Sequence, residues 1–581
     1  MKNTQKWIAG LAVAGLIFVS GCKKSEVKIE NQSEANAYVA QSIKDWNKSE
    51  VNSLLKFVPS DVSAVFATTR NFDMNAPQYK GLLELSQKIL NLDALSEAAD
   101  GDADLVAFYN AKYMKDVESI LRDYSKMASE FGLDPDGRTD SVLFVDGKNV
   151  VIKSTLSSGD KFRAKLTEWI EDAQELMPKN GSVVLTQKEL VSDGEKWTVY
   201  GLSIKGIIPD EPATEYRLGI HVGEHMLTMV VDPDASVSQY LKTAKTSLEL
   251  KALGNFDKNS MGIGYVNIPK VTSQIVNNET FKAVYQEIFH ELPEQGCLED
   301  AVEIATAFPK VTYDVRFDKE RELSVTSTLS IANKDIVKKI QGLEVEHIDL
   351  FSKNPLIGLK IGLNTPKAIA LGQELIGLFT SKSFKCAGLN SQKVSLPMLY
   401  GLFTNDSTTK LVAGNITLFN FALYDIDKSL FNPETEDNVP SVYDLALNIG
   451  GPKIADAMPE LIQKFWRVNA TEILQKLGDK NTLGTADLQA KDGKYKFVTY
   501  YTDTDFVLAS EQNAVDKLAV SPKINDHQFI EFTMSGKFLN LMSDSMNDSV
   551  KSLVNSYEDV SYVISVGAND QGLTGAITYR Y

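Results

Sequence analysis

The stretch HVGEH, from His221 to His225, has the spacing H-x-x-E-H with which one class of zinc peptidase holds and arms its metal. Two histidines four residues apart on one helical face can converge on a single ion, with the glutamate between them as general base. The surrounding residues, YRLGIHVGEHMLTMVV, argue against a helix. Gly219 and Gly223 weaken one, and Ile220, Val222, Thr228, Val230 and Val231 favour a strand. The pattern predicts a hairpin that turns at Gly223 and Glu224, with Ile220 opposite Leu227 and Leu218 opposite Met229. In that register His221 and His225 point to opposite faces and cannot share an ion. No metal ligand is assigned, and His221 and Glu224 are expected to be exposed.

Other chemistry-bearing patterns are weaker still. The chain has no G-x-S-x-G elbow, no phosphate-binding G-x-x-x-x-G-K-[ST] loop and no G-x-G-x-x-G fingerprint. DGDAD (Asp100 to Asp104) and DPDGRTD (Asp134 to Asp140) resemble calcium loops, but both lack the distal glutamate and read as solvated turns. His290, His347 and His527 stand apart in sequence. No catalytic residue and no cofactor are assigned, and a non-enzymatic protein is expected. A hydrolase whose site is assembled from residues distant in sequence is the alternative.

The N-terminus carries a firmer address. Lys2 and Lys6 precede an apolar run from Trp7 to Val19, too short for an ordinary membrane span, followed by Ser20, Gly21 and Cys22. VSGC resembles the bacterial lipobox, which implies cleavage before Cys22 and acylation of that cysteine. Residues 1–21 are thus expected to be a lipoprotein signal peptide and 22–50 a polar tether. Lys23 stands where an inner-membrane retention signal would place Asp, so the outer membrane is the expected destination, with the body in the periplasm. The chain has 581 residues and a formal charge of −17, which disfavours nucleic acid and anionic surfaces as partners. Membrane contact is expected to come through Cys22. The other expected partner is an envelope protein or a lipid ligand.

Two cysteines remain, Cys297 and Cys386, and an oxidising compartment makes a disulfide between them the expectation. Closing a loop of about 90 residues would contribute on the order of 4 kcal/mol in the chain-entropy description.

Four pairs of segments recur in the same order and point to an internal duplication. NAPQYKGLLELSQKIL from Asn75 matches NTPKAIALGQELIGLF from Asn364, and YRLGIHVGEHMLTMVVD from Tyr216 matches YKFVTYYTDTDFVLASE from Tyr495. IGYVNIPKV from Ile263 matches IEFTMSGKF from Ile530, and VTYDVRF from Val311 matches VSYVISV from Val560. Val311, Tyr313, Val315 and Phe317 alternate with Thr312, Asp314 and Arg316, the mark of an antiparallel strand with its apolar face buried. KFRAKLTEWIEDAQEL from Lys161 and VPSVYDLALNIGG from Val439 read as helices. The expected fold is α+β: two tandem similar lobes, 51–345 and 346–581, each a mainly antiparallel sheet with packed helices, joined near Glu344 to Asn354.

The lipobox, FVPSDVSAVFATT, FGLDPDGRTDSVLFVDGKNVVIKSTLSSGDKF, GCLEDAVEIATAFPKV and CAGLN together resemble a group of uncharacterised proteobacterial envelope lipoproteins that share a domain of unknown function. The resemblance implies an envelope location and a large duplicated α+β body, and it carries over no catalytic residue. A binding or scaffold protein for an envelope component is the expected role, its ligand held between lobes or on a curved sheet. Tyr500 and Tyr501 are candidate ligand-facing aromatics.

Overall fold

The computed structural model describes residues 32–44, 52–69, 128–134, 139–176, 183–204, 214–253, 260–278, 286, 294–319, 321–426, 443–457, 460, 480–481, 483–490, 493–510, 523–542 and 558–580. Two compact units emerge: residues 1–275 with 310–325, and residues 276–309 with 326–581. Among the described residues the dominant element in each unit is a large antiparallel sheet, and the second unit adds a separate two-stranded ribbon. This corrects the expectation of two α+β lobes of sheet and packed helices. The protein is built mainly from strands.

The first unit contains β1 (Ala64–Thr68), β2 (Ser141–Asp146), β3 (Asn149–Thr155), β4 (Val183–Ser192), β5 (Glu195–Ile204), β6 (Thr214–Val222), β7 (Met226–Val231), β8 (Ser260–Asn267) and β9 (Lys310–Lys319). Pairing runs β4-β5-β6-β7-β3-β2-β1-β8-β9, antiparallel at every step. A core of Phe57, Phe144, Trp197, Met226 and Tyr240 packs on one part of it. Helix α1 (Gln32–Lys44) adds Ala35 and Val39 to that core. Helix α2 (Gly159–Leu176) contributes Phe162 to a second cluster with Phe131, Ile220 and Leu227.

The second unit contains β10 (Glu322–Ser330, of which Thr326 onward belongs here), β11 (His347–Ile348), β12 (Ile357–Gly362), β13 (Leu418–Ile426), β14 (Tyr443–Gly450) and β15 (Leu483–Ala490). It continues with β16 (Gly493–Tyr501), β17 (Asp505–Ser510), β18 (Lys523–Ile524), β19 (Gln528–Ser535), β20 (Ser561–Ala568) and β21 (Gly572–Arg580). Pairing runs β15-β16-β17-β14-β13-β12-β19-β20-β21-β10, while β11 and β18 form the ribbon. Its helices include α3 (Gln295–Ala305), α4 (Lys334–Gln341), α5 (Thr365–Ser381), α6 (Ala387–Asn405), α7 (Ser407–Asn415) and α8 (Gly536–Met542).

The two strand orders agree place for place: β5-β6-β7-β3-β2-β1-β8-β9 in the first unit reads as β15-β16-β17-β14-β13-β12-β19-β20 in the second. Three of the four matched sequence pairs fall on corresponding strands of these orders. For β6–β7 and β16–β17 even the register agrees, since His221 faces Thr228 and Tyr500, at the matching position, faces Val507. The segment from Asn75 lies outside the described residues. Its match begins α5, where the Asn364 side chain caps the Lys367 N–H at 3.3 Å and Pro366 sits in the first turn.

Two local expectations fail for identifiable reasons. The segment from Val439 is not a helix but carries β14, in which Ala446 and Asn448 are buried and Leu445 and Leu447 are half-buried on the other face. Leu445, Ala446, Leu447 and Ile449 crowd into five residues, and so short an apolar cluster cannot be told from a helix by periodicity alone. In β9 burial ignores the apolar alternation: Tyr313 is exposed, while the Asp314 side chain is only 15% exposed and lies 3.7 Å from Arg316. The same inversion appears on a larger scale in the second unit.

Candidate functional site

HVGEH lies at the turn of the β6–β7 hairpin, not on a helix. The ladder differs from the expected one by two residues, with Ile220 opposite Met229 and Val222 opposite Leu227. The turn is made by Glu224 and His225, because the Gly223 N–H donates to the Met226 carbonyl at 2.8 Å. A neighbouring segment sets that choice. Leu156 N–H donates to the His225 carbonyl and Gly159 N–H to the Glu224 carbonyl, both at 2.8 Å. A side chain at Gly159 would strike the Gly223 carbonyl, so only glycine allows this approach.

The two histidines therefore have separate surroundings. The His225 ring sits in the turn, its Nδ1 3.3 Å from the Leu156 carbonyl. His221, expected to be exposed, is buried within β6, its ring centroid 5.3 Å from that of Trp197 and its Nε2 3.5 Å from Glu195. Burial holds the His221 ring below its usual pKa, although Glu195 opposes the shift.

The same row of side chains leads from His221 across Thr228 to Lys153 on β3. Lys153 is fully buried, and its Nζ donates to Thr228 Oγ1 at 3.0 Å and lies 5.0 Å from the Phe57 ring centroid. No carboxylate pairs with it among the described residues. Burial pushes its pKa down from 10.5 to about 7, so the amine is close to half neutral at neutral pH. A near-neutral lysine is a nucleophile when a substrate can reach it. This one has no surface exposed to meet a substrate.

The second unit has its own buried lysine, held in the opposite way. Lys360 on β12 pairs with Asp526 at 2.5 Å and Glu531 at 3.1 Å, and its Nζ lies 3.2 Å from His347 Nε2. Its cross-strand neighbours are Asn420 on β13 and Glu531 on β19, and Asn420 in turn faces the buried Asn448 on β14. Asn420 donates to the Ile348 carbonyl at 2.7 Å, which ties the β11–β18 ribbon over this polar row. Sequence reasoning missed both lysines. The available signal was a single lysine inside an apolar strand, NVVIKST and IGLKIG.

One residue further along each strand, the opposite face of the second unit carries apolar side chains in the open. Phe419 faces Ile361, Ile361 faces Ile530, and Ile530 faces Val566. Ile564 lies two residues from Val566 on the same face of β20 and pairs with Ile577 on β21. All six are more than a third exposed. The ordinary rule is reversed here, with Lys360, Asn420 and Glu531 turned inward and Ile361, Phe419 and Ile530 outward. Together they make a contiguous row of partly exposed apolar side chains on one face of the sheet.

Cys297 and Cys386 are disulfide-bonded, closing 89 residues and fastening α3 to the start of α6. With Glu294 they form a trio whose ligand atoms lie within 4.8 Å of one another. Sulfurs bonded to each other offer no thiolate, so the trio is not a metal site in this state. Non-reducing peptide mapping of the intact protein should recover the Cys297 and Cys386 peptides linked, and two alkylatable thiols would contradict the bond.

The remaining candidates take structural places. Tyr500 packs on the cluster of Ala422, Ala446 and Val507, and Tyr501 on that of Ile449, Ile454 and Phe506. Asp140 is buried and accepts from the Ser53 N–H at 2.9 Å. His527 is exposed beside Glu344 at 2.9 Å. Cys22, His290 and Asp100 to Asp104 lie outside the described residues. No family model, curated protein or solved structure matches the chain.

Proposed function

We propose that the chain is a lipid-anchored envelope protein, non-enzymatic, that holds the acyl chains of an envelope lipid against the outward apolar face of the second unit's sheet. The inverted patterning of β12, β13 and β19 carries this reading. Placing isoleucines outward while burying a lysine, a glutamate and asparagines forgoes apolar burial at about 25 cal/mol per Å² and pays desolvation as well. Such a cost fits a surface kept for a ligand. The outward row offers no hydrogen-bonding side chain among its six members, so it suits alkyl chains rather than a polar headgroup.

The test is native mass spectrometry with lipid extraction on protein purified from the envelope, which separates non-covalent lipid from the acyl groups expected on Cys22. Co-purified lipid is expected in the parent and its loss in Ile361→Glu/Ile530→Glu. Ile361 and Ile530 lie directly opposite each other, so the paired glutamates repel and are expected to cost about 1–3 kcal/mol, and urea unfolding must show the variant folded before its lipid is counted. An empty parent, or a variant that retains as much lipid, would refute the reading. The anchor has its own test: Cys22→Ser should abolish incorporation of labelled palmitate, and continued labelling would overturn it.

A further inference from the structure

We infer that Cys297, Cys386 and Glu294 form a redox-gated site for one thiophilic divalent cation, shut while the sulfurs are bonded to each other and opened when a dithiol reduces them. The three residues meet where two helices begin. Cys297 lies in the first turn of α3, Glu294 is the N-cap of that helix, and Cys386 is the N-cap of α6. Their ligand atoms lie within 4.8 Å of one another, and Glu294 Oε2 is 3.6 Å from Cys297 Sγ. A tetrahedral zinc ion, bonded at about 2.3 Å to sulfur and about 2.0 Å to oxygen, holds such a pair about 3.5 Å apart. One edge of the tetrahedron is already set. Only the sulfurs have to part, from bonded contact to about 3.8 Å.

What assembles the trio does not depend on the bond. A side chain at Gly296 would press on Lys385, so only glycine lets the start of α3 come this close to the start of α6. The Cys386 N–H donates to the buried Asp300 at 2.8 Å, and Lys385 pairs with Glu299. Reduction leaves these contacts in place.

Donor type and charge select the occupant. Lys382 and Lys385 neutralise Glu303 and Glu299, while Glu294 and Asp300 make no ion pair among the described residues. The site is therefore anionic before any thiolate forms, which draws a cation and repels an anion. Two thiolates beside one carboxylate favour zinc over magnesium or calcium, which take oxygen ligands. Three protein ligands leave the fourth position of zinc to water. The opening step is a thiol–disulfide exchange. Cys297 is half-buried and Cys386 buried, so attack falls on Cys297. A thiolate of the incoming dithiol bonds to that sulfur and expels Cys386, and its second thiol then releases Cys297. The reductant leaves as a disulfide, having given up two electrons, and both site sulfurs end as thiols. The cation replaces their two protons, which pass to solvent.

The site stands apart from the lipid anchor and from the sheet face, and failure of either leaves it untouched. The intact chain would be reduced with a phosphine under anaerobic conditions and titrated with zinc against a chromophoric chelator. Cobalt in place of zinc reports thiolate ligation by its charge-transfer absorption. The reduced parent is expected to take up one equivalent and show the cobalt band, and the oxidised parent neither. Cys297→Ser should lose both. Glu294→Gln, at a position whose side chain caps no N–H of α3, should weaken binding roughly 10–100-fold or more. Cys22→Ser, which keeps all three ligands, should bind as the parent does. Equal uptake in the two redox states overturns the gate and leaves a surface carboxylate site. No uptake by the reduced parent, cobalt bound without the thiolate band, or circular dichroism lost on reduction each overturns the site. Binding lost in Cys22→Ser overturns it as well, by moving a ligand to the N-terminal cysteine.

Discussion

Replacing Lys153 by Met is expected to stabilise the protein at neutral pH by about 2–4 kcal/mol. A lysine whose pKa falls from 10.5 to about 7 on folding loses roughly 5 kcal/mol of stability once both states are protonated. Methionine has nearly the same shape and no charge to desolvate, but it cannot replace the 3.0 Å bond to Thr228, which trims the gain by about 1 kcal/mol. The sign of the pH dependence follows from the direction of the shift. The unfolded chain holds its proton up to the ordinary lysine range, whereas the folded chain releases it near 7. Raising the pH from 7 to 10.5 therefore stabilises the parent, and the penalty is complete below 7. Lys153→Met should be flat across that window by this contribution. Urea unfolding of parent and variant at pH 7 and at pH 9.5 gives both numbers. A variant no more stable than the parent at pH 7 would show that Lys153 is held by a charge partner.

What was legible in the sequence was local. Asn364 and Pro366 announced the start of α5, the residues around HVGEH announced a hairpin, and Lys161 to Leu176 announced α2, because caps, turns and amphipathic stripes act within a few residues. The matched segments pointed to strands that do occupy equivalent places in two pairing orders. The extent of the sheet was not legible. Long pairings such as β12 with β19 join residues far apart in the chain, and the hydrophobic pattern does not record which strands meet.

The outward apolar face was hidden for a different reason. Alternation in a strand states that two faces differ, and the usual inference assigns the apolar one to the core. In IGLKIG and FIEFTM that assignment is wrong, since Lys360 and Glu531 are the covered residues and Ile361 and Ile530 the open ones. The decision lies with the β11–β18 ribbon, whose His347 and neighbouring Asp526 supply partners for Lys360. Those partners come from positions 13 and 166 residues away. A single sequence pass treats each as an isolated polar residue.

Lys360 should respond to Met in the opposite sense from Lys153. Lys360→Met is expected to destabilise the protein by about 2–4 kcal/mol, because it strips the cation from the largely covered Glu531 and from Asp526, which keeps partial access to water. Asp526 and Glu531 would be left facing each other across the vacated ammonium. Burial already holds the Glu531 carboxyl above its ordinary pKa, with Lys360 the chief influence working the other way. Removing the lysine raises it further. A carboxyl whose folded pKa lies above its unfolded value favours the folded state in acid and loses that contribution as pH rises through the folded pKa. The variant's deficit should therefore be largest at neutral and alkaline pH and shrink as Glu531 takes up its proton. His347 offers an independent readout. Burial and then Lys360 depress its pKa while Asp526 raises it, so the variant should titrate His347 at a higher pH, visible by NMR. The double variant Lys360→Met/Glu531→Gln should recover part of the lost stability, since one of the stranded charges is gone. Equal stability of Lys360→Met and the parent across the pH range would mean that this polar row is wet rather than covered, and the inversion that exposes Ile361 and Ile530 would lose its structural cause.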